Sequence, residues 1–454
     1  MRTDRTSLVD LGLLPDASGT WPLATWLDQT HAPAGHEALK RLIAEPLEDL
    51  EAIRARQRLL PQLTSMTTQV PWADLYVLAT QVERFLASNY VVVPSARTRR
   101  LLFMAQYREI AAHVAAQLRS VEALLARCEP LLARLLSLPD DAATLAMVST
   151  FDAAVRHAQR ERLRAAVDRG SHEALLAVDV AVRGEMPSDR STESRSEVHA
   201  PMRPALEALI GAIPRLDALC SLATASANAS GTVPRMVPPT GGTLSFDDLR
   251  HPLLPRGVGN DVHLADGDQV LFLTGPNMAG KSTVLRAIGI AVHCAHLGMA
   301  VTARRADIPV YDQLLASITV RDNLARGESL YLSEIRRVRL IVDAVDRGHA
   351  VLALFDEVFR GTNIMDATDA TVLLVDGLSR AAHGTFFIAS HLAEVARARG
   401  QARGVTCWCM GIDTSGNTPQ FTYRMERGIS EVRLGMMLLD AEGVGQILRR
   451  LAVQ

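Results

Sequence analysis

From about residue 36 to residue 229 apolar side chains recur at helical spacing, and past residue 242 the texture changes to short β-type runs separated by helices. Phe103, Tyr107, Ile110, Val114, Leu118, Val121 and Leu125 stand three and four apart. They predict one apolar stripe on a helix that starts near Arg99 and is interrupted at Pro130. At about 1.5 Å per residue that helix would reach roughly 45 Å, the length of an arm. A second helical stretch covers about Thr144 to Arg169, with Arg156 and Arg160 among its charges, and a third begins at Ser171. The polar run from Pro187 to Ser196 reads as a loop, and helix resumes near Met202 and continues to Asn228.

Pro234, Pro238, Pro239, Gly241 and Gly242 crowd the stretch from Gly231 to Gly242, which marks a domain boundary. Beyond it, Val270 to Thr274, Ile308 to Val310, Val351 to Phe355 and Thr385 to Ala389 read as strands. Helical segments separate them, so the expected fold is α/β plus all-α: a helical region followed by an α/β domain with a mainly parallel sheet. The apolar stretch from Val284 to Ala303 carries Arg286 and His293 and is read as a buried helix rather than a membrane span. No membrane association is expected.

The strand at Val270 runs into Gly275, Pro276, Asn277, Met278, Ala279, Gly280, Lys281, Ser282 and Thr283, the strand, glycine-rich loop and helix order of a phosphate cradle. Lysine occurs in this chain only at positions 40 and 281. One of the two therefore lies in the loop, where a compact ammonium on a flexible stem fits between the β- and γ-phosphates and a planar guanidinium does not. ATP is the expected ligand. A second phosphate-handling element should be an apolar strand ending in carboxylates, and Val351 to Phe355 leads into Asp356 and Glu357. Asp356 with Ser282 would hold Mg²⁺, and Glu357 would polarise the attacking water. Taken alone, an Asp-Glu pair is equally compatible with the acidic cap of a helix. The run Phe386 to Ser390 ends at His391, which at a sheet edge is placed to sense a γ-phosphate.

Composition limits the remaining choices. A chain of 454 residues with 48% hydrophobic and 4% aromatic residues has room for two or three folded domains. Its formal net charge of -2 means that any nucleic-acid contact must come from local arginine patches. Candidates are Arg97, Arg99 and Arg100 at one predicted helix start, and Arg156 and Arg160 on the next helix, although such runs are also ordinary solvated faces. Five cysteines without repeated spacing fit a reducing compartment, and the N-terminus lacks a signal-peptide pattern. The expected location is the cytoplasm, of bacterial type, with the nucleoid as a place of action. Cys407 and Cys409 share a face of a short strand-like run, where core packing is the simpler reading than a redox or metal role.

The loop from Gly275 to Thr283, with its Pro-Asn-Met insert, closely resembles the phosphate loop of the MutS family of DNA mismatch-repair ATPases. The resemblance takes in Arg250-His251-Pro252, Asn260-Asp261, Gly327-Glu328-Ser329, Glu334, Arg360-Gly361-Thr362, Asp366 and Ser390-His391. Upstream, Leu27-Asp28-Gln29-Thr30 looks like the entry of the family's core domain, and Leu216-Asp217 like its return helix. It implies an N-terminal helical core/lever domain over residues 1–235, an ABC-type P-loop ATPase domain over 236–430, and a C-terminal helical tail over 431–454. It also implies a homodimer in which Ser329 and Asp366 act in trans on the nucleotide of the other subunit. A plain helix N-cap is the other reading of Ser329, and the two are compatible because a cap can also bind phosphate.

Departures from the family pattern carry their own expectations. Phe359 stands where mismatch-repair members usually have Gly, Asn363 and Ile364 replace Ser and Thr, and Ala279 replaces Gly. The segment before Asp28 is short for a mismatch-reading domain, so the chain resembles a minimal member with arms and motor but without the reader. The leading functional expectation is an ATP-gated dimeric clamp on DNA, held through the backbone without base readout. The alternative is an ATP-driven switch acting on a protein partner. A transporter motor is disfavoured, since no Leu-Ser-Gly-Gly-Gln element is present.

Overall fold

The computed structural model describes residues 1–87, 97–136, 203–239, 243–254, 256–265, 267–318, 330–413 and 420–430, together with Val444 and Arg450. In chain order the first elements are β1 (Arg2–Thr3), α1 (Arg5–Asp10), α2 (Ala24–Leu27), α3 (Pro33–Ala44), α4 (Leu50–Thr67), α5 (Trp72–Ala87), α6 (Arg97–Leu136) and α7 (Arg203–Ala227). Then come β2 (Arg235–Val237), β3 (Ser245–Leu249), β4 (Asn260–His263), β5 (Val270–Thr274), α8 (Lys281–His296), β6 (Arg305–Pro309) and β7 (Gln313–Ser317). The last are α9 (Leu330–Asp346), β8 (Val351–Asp356), α10 (Ile364–Leu378), β9 (Thr385–Ser390), α11 (Ala393–Arg399), β10 (Val405–Asp413) and β11 (Gln420–Arg427). They form two compact units, one of residues 1–28, 40–58 and 225–454 and one of residues 29–39 and 59–224.

The first unit holds a seven-stranded sheet in the order β1-β7-β8-β9-β5-β10-β11, parallel except where β10 meets β11. Every residue of β5 and β9 is buried, as a parallel strand covered on both faces requires. Alternate residues of β8 serve opposite layers. Val351, Ala353 and Phe355 pack with Ile341 of α9, Leu374 and Val375 of α10 and Val395 of α11. Leu354 instead faces α8, where a Cβ added to Gly289 would lie 2.7 Å from its Cδ1.

Two sequence expectations change here. The predicted strand at Ile308 to Val310 spans Arg305–Pro309 and belongs to a separate four-stranded sheet, β2-β6-β3-β4. Its half-exposed residues suit that smaller, mostly antiparallel sheet, and β7 takes the place beside β8. The other change is at the N-terminus. Residues 1–28 lie in the sheet-bearing unit and not with the helices, because Arg2 pairs with Gln313 and α1 is locked to β7. Ser7 Oγ accepts from the Ala316 amide at 2.7 Å, Asp10 Oδ2 accepts from the Ile318 amide at 3.0 Å, and Arg337 donates to Asp4 and to the Ala316 carbonyl. Most of the predicted tail over 431–454 lies outside the described residues; Val444 and Arg450 are helical.

In the helical unit, α6 continues through Pro130 to Leu136 instead of stopping there. Its buried face, Val114, Leu118, Val121, Leu125 and Cys128, carries on to Leu131 and Leu135 without a break, while Pro130 itself is exposed. Burial of two leucines, each worth roughly 1.5–3 kcal/mol, offsets the roughly 3 kcal/mol that an interior proline costs. Side chains of Phe103, Tyr107 and Ile110, and the predicted helices over Thr144 to Arg169 and from Ser171, lie outside the described residues, whereas the one predicted from Met202 is α7. Leu206–Ala227 is long and apolar enough to cross a membrane by length and composition. Its leucines at 206, 209, 216, 219 and 222 are buried within the protein, as in a core helix.

A polar knot fixes α7. Asp217, with no exposed surface, accepts from the His31 amide, His31 Nδ1 and the Tyr76 hydroxyl, each at 2.9 Å. Gly35 is required beside it, since a Cβ there would stand 2.2 Å from Asp217 Oδ2. Asp217→Ala leaves three donors without their acceptor and is expected to lower the stability of the helical unit by roughly 2–4 kcal/mol. Urea denaturation followed by circular dichroism reads this; an unchanged midpoint would show that the knot is dispensable.

Candidate functional site

Three parallel strands that neighbour one another, β8, β9 and β5, end on one edge of the sheet, with Thr274 opposite Ser390 and Asp356 opposite Ala389. Each is followed by a residue singled out in the sequence. That edge therefore gathers the glycine-rich loop, the acidic pair and His391 from positions far apart in the chain.

The loop turns sharply between β5 and α8. Gly275 has φ +147° and a Cβ there would meet Met410 Cβ at 3.1 Å, while Gly280 has φ +103° and caps α8 without a side-chain acceptor. The first-turn amides of α8 thus have neither an intrahelical nor a capping partner, the ordinary condition of an anion-binding helix start. Met278 between them also takes positive φ, 71°, and is 83% exposed.

Lys281 is buried, its side chain 4% exposed. Its ammonium curls back onto the loop, donating to the Gly275 carbonyl at 2.8 Å, the Pro276 carbonyl at 3.1 Å and Asn277 Oδ1 at 3.4 Å. Glu357 Oε1 is 3.6 Å away. Burial lowers the Lys281 pKa, opposed by the charges of Glu357 and Asp356. Asp356, at the end of β8, has its pKa raised mainly by burial, while the neighbouring Ser282 acts the other way. Among the predicted residues, Lys281, Ser282, Asp356, Glu357 and His391 therefore come together.

Glu357 sits at φ +50° with its amide donating to the Ala389 carbonyl at 2.8 Å, a left-handed turn that swings the carboxylate off the strand line. The same Oε1 lies 3.8 Å from His391 Nδ1. The nearby His391 holds Glu357 below its usual pKa, and reciprocally Glu357 raises that of His391. Phe359 is also left-handed, φ +65°, at the position where the family pattern has Gly; its ring is buried edge-on against Tyr331, with centroids 6.4 Å apart. A packed aromatic ring here stands where glycine would supply backbone freedom.

Buried Glu334 of α9 accepts from the Gly361 amide at 3.3 Å and lies 3.6 Å from Arg360 Nε. Asp366 stands exposed in the first turn of α10; its described hydrogen-bond partners are Asn363, which caps the helix, and Thr362. It does not join the Lys281 group through those contacts. Ser329, Arg156 and Arg160 lie outside the described residues. Arg97, Arg99 and Arg100 form the first turn of α6, but their side chains lie outside the description as well.

The sequence reading missed a cavity of about 380 Å³ beside the loop, lined by Met278, Gly280 and Thr283 together with His251, Met410 and Tyr423. Asn260 braces it, donating to the Tyr423 carbonyl at 3.1 Å and accepting from the Met425 amide at 2.6 Å. His251 is driven down to a pKa of about 4 by burial and by Arg286, so it is neutral at physiological pH. Its walls come from β4, β10, β11 and the connection before β4. No local motif announces that assembly.

Residues 271–451 match the family model of MutS domain V. The DNA mismatch repair protein MutS of Chlorobium chlorochromatii (strain CaD3) is 32% identical over 237 residues, 50% of this chain and 27% of that protein. The protein of the same name from Acetivibrio thermocellus is 28% identical over 238 residues, 51% of this chain and 27% of its own length. That from Granulibacter bethesdensis is 31% identical over 277 residues, 59% and 29% respectively. The matched region thus amounts to between a quarter and a third of the length of these relatives. Sheet, loop and acidic strand end define a mixed helix-and-sheet protein carrying MutS domain V. Through that region the chain is similar to the MutS proteins.

The Glu357–His391 pair makes a pH-dependent contribution to stability. Glu357's share is present above its ordinary pKa of 4.5 and is lost as pH falls through its lowered folded value. That of His391 is present below its ordinary 6.5 and is lost as pH rises through its raised folded value. The two overlap in the mildly acidic range. Glu357→Gln should therefore bring the His391 pKa down, because burial, which lowers it, then lacks its opponent. An NMR titration of the imidazole reads the shift; an unmoved midpoint would show that the two groups do not interact.

Proposed function

We propose that this protein binds and hydrolyses ATP at the Lys281 loop, a P-loop of the ABC type, and acts as a nucleotide-gated homodimer on DNA. The observation that carries the reading is the buried Lys281 ammonium, held by loop carbonyls and within 3.6 Å of the Glu357 carboxylate. Triphosphate oxygens would take over from those carbonyls, and the uncapped first turn of α8 would supply amides and the positive end of its dipole. The cavity lined by His251 and Tyr423 has the size and apolar-aromatic character for the base.

Ser282 and Asp356 fit a hard divalent cation: a hydroxyl and a neighbouring carboxylate, the latter with a pKa raised by burial and by Glu357. They would hold Mg²⁺, whose chemical contribution is to neutralise phosphate charge. Glu357, kept ionised by its neighbours, would accept a hydrogen bond from the attacking water and orient it, with His391 fixing the carboxylate. Ser329 and Asp366 would act in trans across the dimer; the exposure of Asp366 at the start of α10 suits such a role. Arg97, Arg99 and Arg100 at the start of α6, with Arg156 and Arg160, are the proposed DNA contacts, and the cytoplasm is the proposed location.

The relatives named above are DNA mismatch repair proteins, and DNA action is carried from them to this chain. The net charge of -2 favours a second reading, a nucleotide-driven switch on a protein partner. Lys281→Ala should abolish ATP binding, measured by fluorescent-nucleotide titration. Glu357→Gln should bind ATP with parental affinity and turn over roughly a hundredfold or more slower. Hydrolysis by Glu357→Gln at the parental rate removes the water-orienting assignment. Duplex and junction DNA titrated into the ATPase assay at two salt concentrations should alter turnover, and more strongly at low salt. No DNA effect at low salt leaves the protein-partner switch.

A further inference from the structure

A groove of about 500 Å³ lies between β1 and the outer face of α9, on the sheet edge remote from β11. Arg336 and Arg339 line it from one face of α9, Arg347 from the turn just after that helix, and Arg2 from β1. Arg2 and Arg339 each keep 80% of their side chain exposed. Leu340, 46% exposed, lies between them, and Leu315 forms part of the floor. Thr3 adds a hydroxyl oxygen that is buried and without a hydrogen-bond partner among the described residues. Such an orphan is unfavourable unless a ligand completes it. No described strand pairs with β1 on its outer side.

We propose that this groove docks an acidic, extended polypeptide segment of a partner protein. The arginines do not converge on one point as a phosphate site would require. From Arg336 to the end of α9, where Arg347 follows, is roughly 15 Å at helical rise, the span of about four to five residues of extended chain. Asp4 and Asp343 line the same groove. Asp4 is held by Arg337, and Asp343 lies 3.7 Å from Arg339 Nε. These carboxylates repel a nucleotide or a phosphodiester backbone, whereas a peptide brings amide donors to them while its own acidic side chains meet the arginines. Alternating acidic and apolar residues match the arginines and Leu340 in turn, and the outer edge of β1, with which no described strand pairs, suits strand addition. The inference stands independently of ATP binding, because none of these residues belongs to the Lys281 group.

The test uses the full chain and a fluorescein-labelled peptide of roughly ten residues alternating Glu with Val, followed by anisotropy at low and moderate salt. Parental protein should bind it, more weakly as salt rises, and should not bind the same peptide with Lys in place of Glu. The double variant Arg336→Glu, Arg339→Glu should lose roughly tenfold or more in affinity, and Arg336→Lys, Arg339→Lys should retain most of it. Unchanged thermal unfolding of both variants excludes a folding defect, to which these exposed positions are not prone. Parental protein that fails to bind at low salt overturns the proposal, as does equal binding by the charge-reversed variant. Displacement of the peptide by duplex DNA, with the charge-reversed variant losing DNA affinity in parallel, also overturns it, by making the groove a nucleic-acid surface.

Discussion

A buried ammonium cannot stand alone, and the candidate site is organised around that constraint. Lys281 is taken out of water at the start of α8, so oxygen atoms must surround it. The loop folds over it to supply two carbonyls and the Asn277 amide oxygen, and the end of β8 supplies Glu357. Loop shape follows from the same requirement, with positive φ at Gly275, Met278 and Gly280 bending the chain tightly enough for its own carbonyls to reach the side chain. The parallel sheet makes this possible by bringing three strand ends to one edge.

Beyond Glu357 the backbone is strained twice within three residues, at Glu357 and Phe359. The surroundings hold both. Glu357 is tied through its amide to β9 and through its carboxylate to His391 and Lys281, and Phe359 is buried against Tyr331 of α9. Gly361 allows close approach, since a Cβ there would lie 2.8 Å from the Tyr331 amide nitrogen, and Glu334 accepts from its backbone. The start of α9 and the turn after the acidic pair are therefore one packed assembly. On its far side the same helix reaches α1 through Arg337, and its outer face forms one wall of the arginine groove.

Much of this was legible in the chain. β5, β8 and β9 are apolar runs buried on both faces, and such runs stand out because each position must be hydrophobic. The glycine-rich loop was visible because its residues are contiguous and lysine is otherwise so rare. Other elements had weaker signals. β7 follows directly on a strand of the other sheet, and Arg305–Pro309 carries no mark of which sheet it joins. Pro130 is an interruption by local rule, overridden by the packed face of α6 on either side.

Already readable along the chain are the chemical types present and the order in which they come: a glycine-rich turn ending in lysine and hydroxyls, an acidic pair after a buried strand, a histidine after another. These are properties of neighbouring residues and follow from local sterics and hydrophobic period. Tertiary structure alone decided what those groups do to one another. Only strand order sets β9 between β8 and β5, bringing His391 to Glu357 and Glu357 to Lys281, and only that proximity, with burial, moves their proton affinities. The cavity beside the loop and the groove along α9 likewise draw residues from elements far apart in the chain. Their charge and shape exist only once long-range packing has brought those elements together.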